Sequence, residues 1–300
     1  MYDAIIVGGG PAGLNAALVL GRCRRWVLLC DEEQPRNSVS RGVNGFITRD
    51  GILPDELRRA AREELKHYPS VEIRDGAVVE DVRFCEDGGF EVILADGSRA
   101  TAHKLLLATG SDDNLPDIPG FREFYGHGVY NCPYCEGWET QDRSIAVYAQ
   151  EDRGKTFALQ LTTWTRDIVL CTDGPATLEA EDRERLERNG IKIREEKIAR
   201  IEGGDGKLSM VHFETGDAVP REALFFITGG RPDCGLATKL GCHLTERGYV
   251  RTVGNEETNV PGLFVAGDAS QGVQFAVVAA AEGALAAFEI NSELVEEYLA

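Results

Sequence analysis

The sequence predicts an α/β fold of two nucleotide-binding domains, one inserted in the other, each with a three-stranded β-meander. Three observations predict it. A glycine-rich turn follows a short apolar strand at the very start, "DAIIVGGGPAG". A second strand–helix–strand pattern begins near residue 144. A meander running into an apolar strand occurs twice, at 88–110 and again over "GGDGKLSMVHFETGDAVPREALFFITGG". Repetition of this kind reads as an internal duplication.

Residues 3–7, "DAIIV", are short, apolar and ended by glycines, as a strand buried on both faces is. A small-residue helix is expected over 12–22 and a second buried strand over 26–30, "WVLLC". "GGFEVILADGSRATAHKLLLATG" alternates and then turns apolar at 104–109. "LPDIPG" (115–120), with two prolines and a glycine, reads as a linker. Beyond it come a strand at 144–149, a helix at 156–163 and a strand at 167–174. "EDRERLERNGIKI" is a surface helix entering a strand, and "GLFVAGDAS" with "FAVVAAAEGALAAFEI" gives a strand, a Gly-Asp turn and a long helix. The expected domains are 1–116 with 244–300, and an inserted 117–243.

The 300 residues suit two domains, and 43% hydrophobic with 27% charged residues is a globular balance. A net charge of −18 argues against a nucleic-acid partner and against docking on anionic membranes. No apolar run approaches the ~18 residues of a membrane span. The N-terminus lacks the basic start of a signal peptide, so the expected location is cytoplasmic. Of eight cysteines, 23, 30, 85, 171, 234 and 242 are scattered and read as buried thiols.

Gly8, Gly10 and Gly13, with Pro11 and Ala12 between, fit G-x-G-x-x-G between a strand and a helix. Glycines there allow a tight turn and close approach of a pyrophosphate to the helix N-terminus. Asp31 ends the second strand, near the spacing expected of an acid that holds a ribose hydroxyl.

"GGGPAG", "LLLATG" at 105–110 and "GLFVAGDA" at 262–269 together resemble the FAD-contacting segments of two-dinucleotide-domain flavoproteins. With a Cys-x-x-Cys in the inserted domain, the chain resembles low-molecular-weight thioredoxin reductases over essentially its whole length. The resemblance implies FAD as cofactor, two Rossmann-like domains and a homodimer. It implies that Ala108, Thr109 and Gly110 contact FAD, with Val78 carried over beside them. It implies that Gly267 and Asp268 hold the ribityl and phosphate region, and that the segment after them reaches the flavin. Family members usually carry Arg-Gln there; this chain has Gln274, Phe275 and Ala276. Phe275 either lies on the ring system or packs in the core.

"NCPYCEGWE" (131–139) holds the one short-range cysteine pair, Cys132 and Cys135. Zinc needs about four ligands, and no second pair or suitably spaced histidine exists, so no metal is expected. A purely structural disulfide fits a cytoplasmic chain poorly. A redox dithiol remains: two residues of separation close a disulfide, and a helix start lowers a thiolate pKa. By resemblance, Cys135 faces the flavin and Cys132 exchanges with the substrate. Glu136 takes the place of the family's acid and could pass a proton to a departing thiolate, or be a solvated helix-start carboxylate. Tyr134 and Trp138 flank the pair, either shaping a partner surface or packing.

A thioredoxin reductase also needs NADPH. The turn after the strand at 144–148 reads Ala149-Gln150-Glu151-Asp152-Arg153-Gly154, without the expected glycines and with two carboxylates. Thr172-Asp173-Gly174 stands where arginines for a 2′-phosphate are expected. Like charges there cost phosphate affinity. The leading expectation is therefore a thioredoxin reductase-like enzyme that exchanges electrons between FAD, the dithiol and a thioredoxin-type partner without NADPH. The runner-up is a flavin-dependent dithiol oxidase acting on a small dithiol, which the Cys-Pro-Tyr-Cys-x-Gly-Trp-Glu segment resembles. Those enzymes usually place His where this chain has Glu136, and a Glu would need a raised pKa to serve as base. An ordinary NADPH-dependent reductase and a non-catalytic redox sensor complete the set.

Overall fold

A computed structural model describes residues 1–150, 153–176, 178–270 and 272–299. It divides into two compact units. The first comprises residues 1–38, 46–112 and 230–300, the second 39–45 and 113–229. The insertion thus returns at residue 229 rather than 243, because Gly235–Lys239 and the cysteines flanking it pack into the first unit's core. The short segment 39–45, expected with the first domain, lies with the second.

In the first unit the strands run in the order Val71–Asp75, Val27–Asp31, Tyr2–Val7, Arg99–Leu107, Phe90–Leu94, Val79–Phe84. The last three form the antiparallel meander. Strand Arg99–Leu107 serves two neighbours along one edge. Residues 99–102 pair antiparallel with Phe90–Ile93, and residues 105–107 pair parallel with Leu263–Val265. The last strand of the meander and the apolar strand expected at 104–109 are therefore one strand, Arg99–Leu107. Its apolar end is buried on both faces, which is why Leu105, Leu106 and Leu107 interrupt the alternation.

Helix Pro11–Arg22 and the long helix Ala276–Leu299 cover one face of this sheet. Their small residues let the backbones meet. A Cβ on Gly283 would lie 2.0 Å from the Ala12 carbonyl oxygen, and Asn15 Nδ2 donates to the Ala280 carbonyl at 2.6 Å.

The second unit has a parallel sheet in the order Lys192–Arg194, Ile168–Cys171, Ile145–Ala149, Ala223–Ile227, Val129–Tyr130. A separate antiparallel sheet of Ile198–Gly204, Lys207–Phe213 and Val219–Pro220 is its meander. Both units are thus Rossmann-like with a three-stranded meander, as expected. Of the scattered cysteines, 30, 171, 234 and 242 are buried, whereas Cys23 is exposed and Cys85 only half-buried. Cys23 caps the C-terminus of its helix and Cys85 lies in a turn, so neither is carried into a core. No helix among the described residues is long and apolar enough to cross a membrane.

Candidate active site

Three parallel strands in the first unit end side by side. Val7 and Val265 are both register partners of Leu107, so Gly8, Ala108 and Ala266 leave the sheet together. Ligands of open α/β sheets bind at such carboxyl ends. The three segments expected to hold the cofactor converge there by sheet register alone.

The glycine turn is tight. Gly8 has φ +111°, and a Cβ on it would sit 2.2 Å from the Ala108 carbonyl oxygen. A Cβ on Gly13 would sit 1.9 Å from the Gly8 carbonyl oxygen. Gly10 differs: a Cβ there would meet nothing within 4 Å. Gly10 is also the N-cap of helix Pro11–Arg22, with no side chain capping the first turn. Open space faces uncapped N–H groups, the chemistry a pyrophosphate needs. The residues present therefore fit FAD.

Asp31 is buried against Gly9, where a Cβ would lie 2.1 Å from its Oδ2. Arg58 donates to that oxygen at 2.7 Å, Arg62 donates to it too, and Glu33 N–H donates to Oδ1 at 3.0 Å. Burial works to raise this carboxyl, but these donors and charges hold it below the ordinary carboxylate range. Three of its roughly four acceptor positions are thereby filled.

Thr109 Oγ1 donates to the Asp233 carbonyl at 2.6 Å, and Gly110, at φ +78°, accepts from Asp233 N–H. Gly267, at φ +81°, donates its N–H to Glu282 at 2.7 Å. Arg36 bridges Asp268 (2.9 Å) and Gln274 (2.6 Å), and Gln274 donates onward to Ser111. Phe275 is half-buried, and its carbonyl receives the Ala279 N–H at the start of the helix Ala276 opens. Val78 is partly exposed and its carbonyl is bonded to Ala95 N–H.

In the second unit Cys132 and Cys135 form a disulfide, with Cα atoms 5.3 Å apart. Cys132 caps a single helical turn, Pro133–Glu136, and its sulfur accepts from Cys135 N–H at 3.1 Å. One turn carries little dipole, so that expected influence on the thiolate is small. Gly137 has no room for a side chain: a Cβ would touch the Trp164 ring at 2.5 Å. Tyr134 stands edge-on to the same ring and, like Trp138 (70% exposed), faces outward.

Glu136 is only 7% exposed, which ends the reading of a solvated carboxylate. Burial pushes it up to about 7, opposed by a hydrogen bond from Ser40 to the ionised carboxylate and by the charge of Arg41, while Glu139 adds to the rise. Ser40 contacts its Oε1 at 3.1 Å, and Asn44 Nδ2 donates to the Cys135 carbonyl at 2.6 Å. Among the described residues no cluster of His, Cys, Asp and Glu is arranged to hold a metal ion.

The family model of the pyridine nucleotide-disulphide oxidoreductases matches residues 2–283. The chain belongs to that family. It is 31% identical to a probable thioredoxin reductase of Arthroderma benhamiae, over 90% of this chain and 74% of that protein. It is 30% identical to the thioredoxin reductase tcpT of Claviceps purpurea, over 89% of this chain and 86% of that one. Among solved structures, a Bacillus anthracis protein assigned as thioredoxin reductase TrxB superposes with a TM-score of 0.93 at 34% identity, covering 98% of this chain and 99% of that one. This member of the family is an FAD-binding, thioredoxin reductase-like disulfide oxidoreductase.

In this oxidoreductase side chains at the ends of two parallel strands of the second unit bond one another. Tyr148 donates to Asp173 Oδ2 at 3.1 Å, Gln150 reaches both at 3.4 Å, and Ile198 N–H donates to Asp173 Oδ1 at 2.9 Å. Glu151 and Asp152 of the acidic turn lie outside the described residues. Sequence reasoning missed Arg36, Ser40, Asn44, Arg58 and Arg62. Arg58 and Arg62 were signalled by their i,i+4 spacing on an amphipathic helix, Pro54–Leu65. Nothing local marks the other three.

Proposed function

We propose that this chain exchanges electrons between FAD, the Cys132–Cys135 pair and a thioredoxin-type protein, and that it does so without NADPH. The observation that carries the proposal is the Tyr148–Gln150–Asp173 group. These side chains bond one another, and Asp173 follows the strand after which cations for a 2′-phosphate are expected, which supports the reading.

Gly8, Gly10, Pro11, Ala12, Gly13, Asp31, Ala108, Thr109, Gly110, Gly267 and Asp268 would hold FAD, with Val78, Gln274, Phe275 and Ala276 at its ends. FAD when bound supplies a two-electron store. In the reductive direction the Cys132 thiolate attacks one sulfur of the partner disulfide. The departing thiolate takes the Glu136 proton, the resulting carboxylate takes the Cys135 proton, and the Cys135 thiolate displaces the second partner thiolate, which is protonated from water. The enzyme dithiol ends as a disulfide and the partner as a dithiol. The protein acts in the cytoplasm, where its thiols stay reduced. A second copy covers the apolar stripe Val277, Leu285, Phe288, Val295 on the long helix, all exposed in the single chain.

A second reading, dithiol oxidation with electrons passing to oxygen, is favoured by one specific observation. Glu136 sits near 7, so the lack of His is no obstacle to deprotonating a substrate thiol. The deciding experiment is anaerobic. The holoprotein is mixed with excess NADPH, then with a reduced dithiol, while flavin absorbance is followed. Silence with NADPH and bleaching by the dithiol is expected, and bleaching by NADPH sinks the proposal. Admitting air then separates the readings, since only the oxidase makes stoichiometric hydrogen peroxide over many turnovers.

A further inference from the structure

The segment 39–45 precedes the dithiol by about ninety residues of sequence, yet it belongs to the same compact unit. It is anchored along its length. A Cβ on Gly126 would lie 2.2 Å from the Val39 carbonyl oxygen, so the two backbones meet. Arg41 Nε donates to His127 Nδ1 at 3.2 Å, Val43 is buried, and Asn44 holds the Cys135 carbonyl. Ser40 sits between two acceptors, the Gly42 carbonyl at 2.9 Å and Glu136 Oε1 at 3.1 Å.

A serine hydroxyl has one hydrogen and a carbonyl can only accept. If Glu136 is ionised, that hydrogen can serve Gly42 or Glu136 but not both. If Glu136 carries its proton, the carboxyl donates to Ser40 Oγ, and Ser40 donates to Gly42. The protonated arrangement has one hydrogen bond more. We propose that Ser40 is a positioning residue of the dithiol site, holding Glu136 in its protonated form as the acid that meets a departing thiolate. The strap carries it there, and Asn44 fixes the backbone of the attacking turn. This rests on Glu136 being the acid of the reaction. The other groups facing Glu136 are Glu139, Arg41 and Tyr130, with Arg143 beside Tyr130. Burial and Glu139 favour the proton and Arg41 opposes it; a Ser40 hydroxyl that donated to the ionised carboxylate would oppose it too, so which group Ser40 donates to decides the sign of its effect.

The test is the pH dependence of thiol–disulfide exchange by the holoprotein, with wild type, Ser40→Ala, Ser40→Thr and Glu136→Gln compared. An infrared titration of the protonated Glu136 carboxyl band, identified by its loss in Glu136→Gln, runs in parallel. Loss of one hydrogen bond moves the wild-type midpoint by roughly half to one pH unit. In Ser40→Ala the midpoint should fall by that amount in both readouts, and Ser40→Thr should restore it. An unmoved or raised midpoint in Ser40→Ala overturns the proposal, because a hydroxyl that merely donates to the ionised carboxylate gives the opposite sign. If the kinetic limb survives in Glu136→Gln, Glu136 is not the acid. The infrared midpoint of Ser40→Ala then still decides the role of Ser40.

Discussion

Gly10→Ala separates the cofactor cradle from the fold that builds it. Gly10 has φ −80° and ψ −175°, a conformation open to alanine, and the added methyl meets no protein atom. Alanine is a poorer N-cap than glycine, so the apoprotein should lose no more than about 1 kcal/mol. The same methyl enters the open space at the helix N-terminus, where the glycine pattern leads us to place the pyrophosphate on the N–H groups of Ala12 and Gly13. Two hydrogen bonds to a charged phosphate, each about 1.5–3 kcal/mol, are then displaced. At ~1.4 kcal/mol per decade, FAD affinity should fall at least about 100-fold. Gly13→Ala is the contrast. Its methyl would lie 1.9 Å from the Gly8 carbonyl, so the apoprotein itself must distort, at about 1–3 kcal/mol. FAD binding is read by flavin fluorescence on titrating apoprotein, and apoprotein stability by urea midpoint. Gly10→Ala binding FAD within about threefold of wild type would refute the placement of the pyrophosphate.

Cys135→Ser should keep FAD bound yet abolish disulfide turnover, and surviving turnover would disprove the dithiol assignment. Gly137→Ala drives a methyl into the Trp164 ring, so the dithiol turn must shift; exchange should slow ~10-fold or more with flavin content unchanged, read by stopped-flow mixing with a disulfide substrate. Glu282 is buried and accepts from Gly267 N–H, and burial pushes its carboxyl up to about 7. A carboxyl raised in the folded state costs nothing below its unfolded pKa of about 4.5 and destabilises progressively as pH rises toward 7. Glu282→Gln keeps an acceptor for Gly267 and removes that charge. Its unfolding free energy, from urea titration, should match wild type at pH 4 and exceed it by a few kcal/mol at pH 8, and parallel pH curves would count against the assignment.

What the sequence disclosed was whatever short-range pattern could encode. Glycines at fixed offsets, an apolar strand before them and two cysteines two residues apart each carry their own constraint. The pattern placed strands Tyr2–Val7, Val27–Asp31 and Ile145–Ala149 within a residue or two. It could not show that 39–45 joins the second unit, because nothing in seven residues names a partner ninety positions away. Nor could it show that Asp31 is shared with two arginines, or that Glu136 is buried; exposure at a helix start depends on what packs over it. The domain boundary near 230 was misplaced because the helix at 235–239 is too short to have a periodicity of its own.

The two-sided use of strand Arg99–Leu107 bears on how this chain is made. Leu105, Leu106 and Leu107 wait for Leu263–Val265, and the helix that seals their face runs to Leu299. On the ribosome the inserted unit is complete once residue 229 has emerged, while the unit that begins at Met1 is still without its last strand. The first-made domain is therefore the last to close. For about 35 further residues of synthesis, until Leu263–Val265 is made, it presents an unpaired apolar strand edge, the form most open to wrong pairing. FAD cannot rescue it early, since Gly267 and Asp268 are also still to come.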